Sequence, residues 1–117
     1  MKKTLALLPI VLLMLSCAHQ HNLIAGDNIR SMVITLDSSQ HIAASNPIEI
    51  TNEDSLHQII RKLNACDQEP IIFYPTHWIK INYGDGKART VVCNGSSMNY
   101  EGLTYRLKES IQNIIGY

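Results

Sequence analysis

The residues from Trp78 to Cys93 constrain the fold more than any other stretch. Two β-prone runs, 78–83 and 88–93, flank a Gly84-Asp85-Gly86 tip. Asp-Gly between alternating apolar residues is a strong short-range hairpin signal, because the tip needs backbone angles that glycine adopts without steric cost. Side chains alternate along a strand, so Ile79, Ile81 and Tyr83 share one face and Trp78, Lys80 and Asn82 the other. Two registers are open. A two-residue Asp85-Gly86 turn sets Ala88, Thr90 and Val92 opposite the inward residues. A three-residue Gly84-Asp85-Gly86 loop sets Val91 opposite Ile79 and turns Cys93 inward. Trp78, Lys80, Asn82 and Arg89 read as an outward polar-aromatic contact face, or Trp78 simply covers an edge of the core.

The remaining elements are read outward from this hairpin. Ser31–Leu36 alternates and is rich in β-branched residues, which predicts a strand with Met32, Ile34 and Leu36 inward. A long loop through Asn46-Pro47 follows, then a short strand at Ile48–Ile50. Thr51 or Asn52 caps a helix, with Glu53 and Asp54 at its positive end and Arg61 and Lys62 at its negative end. Leu56, Ile59, Ile60 and Leu63 recur at i, i+3, i+4 and i+7, so one helix face is for burial. Continued helix places Cys66 beside Ile59, and Pro70 prevents further helix. Ile71–Pro75 is an apolar cluster between two prolines. It reads as a loop closing the core or as a binding lip carrying Phe73 and Tyr74. Met98–Tyr100 predicts a third strand after the turn at Asn94–Ser97. Thr104 then caps a last helix with a stripe at Leu107, Ile111, Ile114 and Ile115, ended by Gly116. Leu103–Leu107 also alternates, so a further strand before a shorter helix is the alternative.

The expected fold class is α+β: an antiparallel sheet of four to five strands with two helices packed on one face, in the order β-β-α-β-β-β-α. It occupies residues 30–117 as one domain. A domain of roughly 90 residues buries only about 60–65% of the surface its unfolded chain exposes, so its core is modest.

The first residues read as an address. Lys2 and Lys3 precede an apolar run from Leu5 to Leu15, long enough for a signal-peptide core and short for a bilayer span. The run closes in Leu13-Met14-Leu15-Ser16-Cys17. That ending resembles the lipobox of bacterial lipoprotein precursors, over about the first seventeen residues only. The resemblance implies a signal peptide at 1–16, lipidation of Cys17 as the new N-terminus, and stable membrane attachment through several acyl chains. Ala18 stands where inner-membrane retention usually uses Asp. The implied location is therefore the outer membrane of a Gram-negative envelope, facing the periplasm. Residues 18–29 are polar and small and are read as a flexible tether. His19 and His21 lack the further ligands that a closed metal site requires, so no metal or other cofactor is expected.

Of three cysteines, Cys17 is taken by lipid, and export leaves Cys66 and Cys93 in an oxidising compartment. A Cys66–Cys93 disulfide is expected, which on the chain-entropy model stabilises by about 3 kcal/mol. It favours the three-residue hairpin loop or a bulge. An oxidised Cys93 cannot serve as a nucleophile beside His77.

Lys plus Arg and Asp plus Glu balance at ten each, and removal of Lys2 and Lys3 leaves eight against ten. Such a surface argues against nucleic acid, which needs a concentrated basic face. Asp67, Glu69, Asp85 and Glu101 read as turn and helix-end residues. The expected function is a non-catalytic, membrane-anchored binding module for another envelope protein. Its candidate contacts are Phe73, Tyr74, His77, Trp78, Lys80 and Arg89. The alternatives are a structural or accessory lipoprotein without a ligand, or a periplasmic hydrolase using His77 and nearby carboxylates.

Overall fold

The computed structural model describes residues 22–36 and 47–117. The lipobox with Cys17, the His19/His21 pair and most of the loop before Pro47 lie outside the described residues.

Among the described residues seven strands form one antiparallel sheet: β1 (Ile29–Leu36), β2 (Ile48–Ile50), β3 (Cys66–Gln68), β4 (His77–Tyr83), β5 (Ala88–Asn94), β6 (Ser97–Tyr100) and β7 (Leu103–Leu107). Their spatial order is β2-β1-β4-β5-β6-β7-β3. Among the described residues two helices accompany the sheet: α1 (Glu53–Asn64), between β2 and β3, and α2 (Ile111–Ile115), after β7. The α+β class holds. The strand number and order depart from expectation, because β3 and β7 are additional. Both edge strands, β2 and β3, are only three residues long, which limits the unpaired backbone they present.

The hairpin adopts the three-residue loop. Ile79 pairs with Val91 and His77 with Cys93. Tyr83 N–H donates to Lys87 O at 2.9 Å and Gly86 N–H donates to Tyr83 O at 3.1 Å. Gly86 closes the loop at φ +87°, a left-handed conformation that costs glycine little. Asp85 Oδ1 accepts from Lys87 N–H at 2.9 Å, which fixes the tip.

Helix α1 is built as its sequence predicts at the N-terminus. Asn52 is the cap, accepting from Ser55 N–H at 3.0 Å, with Glu53 and Asp54 in the first turn. Leu56, Ile59, Ile60 and Leu63 are buried. The helix stops at Asn64, however, before Cys66. Cys66 opens β3 and pairs with Leu107 of β7.

The segment 103–107 is the alternative reading, a strand. Glu101 and Gly102 both have positive φ, +52° and +85°, and they join the closing pair Tyr100 and Leu103. Two positive φ angles make the mirror-image tight turn whose twist matches flanking strands. That turn returns the chain along β6 and leaves Leu103–Leu107 nowhere to go but the sheet. Helix α2 accordingly starts later, capped by Ser110 rather than Thr104, and ends at Gly116 with φ +82°.

The core lies between one sheet face and the helices. Met32, Ile34, Ile79, Ile81, Val91, Cys93 and Met98 are fully buried on that face, against Leu56 and Leu63 of α1 and Ile111 of α2. Ile24 joins them at 1% exposure. Its N–H donates to Asn64 Oδ1 at 2.7 Å, and Asn64 Nδ2 donates to Ile24 O at 3.0 Å. Residues 22–29 therefore belong to the folded unit, which begins earlier than residue 30. A single apolar pair, Leu23-Ile24, is too weak a periodic signal to have shown this.

Candidate functional site

The expected disulfide is absent: Cys66 and Cys93 are both buried free thiols. Strands β6 and β7 lie between β5 and β3. At the usual strand spacing that separation is about 14 Å. Disulfide-bonded Cα atoms sit about 4.4–6.8 Å apart, so the pair cannot close without dismantling the sheet. Burial pushes the Cys93 thiol up to about 12. The Cys66 thiol is raised by burial and by the neighbouring Asp67 carboxylate. Both are poor nucleophiles and behave as small core residues.

The candidate contacts divide between the two sides of the sheet. After β3, the chain crosses from the sheet edge to its middle through residues 69–76. This strap passes the outer face, the side away from the helices. Its start is fastened to β7: Glu69 N–H donates to Thr104 O at 3.0 Å, Thr104 Oγ1 donates to Glu69 O at 2.5 Å, and Ile71 N–H donates to Thr104 Oγ1 at 3.1 Å. Its end is fastened to β5: Asn94 Nδ2 donates to Tyr74 O at 2.8 Å and Thr76 N–H donates to Cys93 O at 2.9 Å. Pro70 and Pro75 stiffen it further.

Between strap and sheet runs an open groove of about 460 Å³, lined by Ile71, Ile72, Phe73 and Pro75 of the strap and Trp78, Val92, Asn99 and Thr104 of the sheet. Ile72 is 102% exposed and Tyr74 89%. Phe73 and Trp78 are half-buried beside the groove, and Lys80 is exposed on the same sheet face. Phe73, Tyr74, Trp78 and Lys80 are thus brought to one side of the molecule. Ile72, which the sequence reading did not single out, is its most exposed apolar residue. Its position between prolines was the available signal.

His77 and Arg89 do not belong to that surface. His77 points inward and is buried, with Nδ1 2.7 Å from Thr76 Oγ1 and Nε2 3.1 Å from Tyr117 O. Arg89 sits on the helix side of the sheet, where Ile81 is its cross-strand partner, and pairs with Glu101 at 2.8 Å. The three-residue loop that turns Cys93 inward turns Arg89 the same way, because both are odd-numbered on one strand.

A second open cleft, about 410 Å³, lies on the helix side at the hairpin end. Tyr83, Lys87, Arg89, Tyr100 and Glu101 line it, together with residues of the 22–28 segment. Tyr83 Oη donates to Ala25 O at 2.9 Å. Burial raises both tyrosine hydroxyls, with Arg89 acting in the opposite sense.

The carboxylates proposed for hydrolysis are scattered. Asp67 faces Lys108 at 3.7 Å, Glu69 faces Arg106 at 3.3 Å, Glu101 pairs with Arg89, and Asp85 serves the hairpin tip. Among the described residues no group of His, Cys, Asp and Glu is arranged to hold a metal ion. No helix among them is long and apolar enough to cross a membrane. Comparison with known protein families, with curated proteins and with solved structures finds no match to this chain.

Proposed function

We propose that the chain is an envelope lipoprotein, anchored through lipid on Cys17, whose domain is a non-catalytic binding module for another envelope protein. One observation carries the binding reading: the exposed Ile72 and Tyr74 on a strap fastened at both ends, beside Phe73 and Trp78. Exposed apolar side chains on a rigid segment lose little conformational freedom when they dock, and aromatic anchors dominate binding energy at interfaces. The membrane anchor rests on the leader and its lipobox-like ending. The free thiols remove the disulfide that export was expected to form. They are compatible with an oxidising compartment because distance and burial keep them apart.

The test is affinity capture of the matured protein from cross-linked envelopes. A stoichiometric partner retained by Cys66→Ser and lost in Tyr74→Ala plus Trp78→Ala supports the strap surface. An anchor residue worth about 2 kcal/mol changes affinity by roughly 30-fold, enough to abolish capture. A thermal melt of the double variant separates lost binding from lost folding. Capture that ignores the aromatic changes would overturn this surface as the binding face.

A further inference from the structure

The first described residue of the folded unit is Asn22, only five residues beyond Cys17. Five residues span at most about 18 Å even when fully extended. The sheet has seven strands and is therefore about 29 Å wide. A domain joined to a bilayer by a leash shorter than its own sheet cannot present every side to that bilayer.

The point of attachment is fixed by packing. Asn22 borders the cleft of Tyr83, Asp85 and Lys87 on one side and the α1 residues His57 and Arg61 on the other. Gly84 N–H donates to Asn28 O at 2.7 Å, so the entering segment is fastened to the hairpin tip as well as to Asn64. Asn22 thus lies on the helix side of the sheet, at its hairpin end. The strap with Ile72 and Tyr74 lies on the opposite side.

We infer that the hairpin end of the domain, from Asn22 and Asp27 to Asp85 and Lys87, is held against the lipid surface by the short leash from Cys17, with the outer sheet face turned away from it. This rests on the anchor in the proposed function. The contact is imposed by the covalent leash and not by charge, because Asp27, Asp85 and Glu101 accompany Lys87 and Arg89 there. A leash of this length gives the hairpin end a high effective concentration at the bilayer, whatever the lipid headgroup. The orientation leaves the strap open to a protein of the adjoining compartment.

The test uses the matured, full-length protein in vesicles containing headgroup nitroxide lipids. A fluorophore is placed at Asp85→Cys or at Lys80→Cys; the buried native thiols stay unlabelled under native conditions. The probe at 85 should lose most of its emission and the probe at 80 little, with no change between low and high salt. A Gly/Ser insertion of about twelve residues after Ala18 lengthens the leash and should erase the difference. Equal quenching at 85 and 80, stronger quenching at 80, or a difference that survives the insertion overturns the orientation. Intact mass of the same sample separates the two failures: an unacylated Cys17 removes the anchor itself, whereas an acylated protein with equal quenching removes only the orientation.

Discussion

The side-chain amide of Asn64 binds both backbone groups of Ile24, accepting from its N–H at 2.7 Å and donating to its carbonyl at 3.0 Å. An asparagine at the last turn of α1 thereby does for one residue what a neighbouring strand does for several. Both partners are buried, so neither bond is exchanged for water. Asn64→Ala leaves two buried backbone groups unpaired and should cost about 2–4 kcal/mol. Asn64→Asp keeps the acceptor but loses the donor and should be no better at neutral pH. Urea unfolding measures both, and proteolysis near residue 24 should accelerate in step.

Gly84 is crowded by its neighbour and not constrained by its own backbone angle. A β-carbon at this position would overlap the Asn28 side-chain amide. The atoms met belong to the end of an exposed, rotatable side chain, so Gly84→Ala should destabilise by no more than about 1 kcal/mol, the cost of turning Asn28 aside. Adding Asn28→Gly should recover most of that loss, since Asn28 itself has φ +63°. Non-additivity in this double-mutant cycle is the readout, and simple additivity would contradict the contact.

Cys66 and Cys93 should remain reduced. Intact mass after denaturing alkylation should show both thiols modified without prior reduction, and reducing agent should not move the melting temperature. A loss of about 3 kcal/mol on reduction would instead indicate a bridge. Under native conditions a thiol reagent should react with neither at neutral pH, because burial disfavours both thiolates.

Alkaline pH should unfold the domain. The Cys93 thiol ionises at about 12 when folded and near 9.0 when exposed. Between those values the unfolded chain holds fewer protons, so stability falls as pH rises through the window and is intact below it. Tyr83, Tyr100 and Tyr105, each raised mainly by burial, add to the same slope. Cys93→Ala should lower stability at pH 7 through the lost side chain, yet show a shallower decline above pH 9. An unchanged slope would remove Cys93 from the titration.

Local patterns carried much of the architecture. The Gly84-Asp85-Gly86 tip and the alternation on each side specify the hairpin, because turn chemistry and a period of two are properties of neighbouring residues. A capping residue at Thr51 or Asn52 and the stripe Leu56, Ile59, Ile60 and Leu63 specify α1 in the same way, and the structure selects Asn52 as the cap. What the sequence left open was settled by pairing between distant segments. Cys66 leaves the helix because Leu107 offers it a strand partner, and with that β3 moves to the sheet edge, separated from Cys93 on β5 by the two intervening strands β6 and β7. The strap across the outer face exists because β3 and β4 are neighbours in the chain but not in the sheet. Which side chains share a surface is thus decided by strand order. Strand order depends on contacts between residues far apart in the chain, to which no local spacing points.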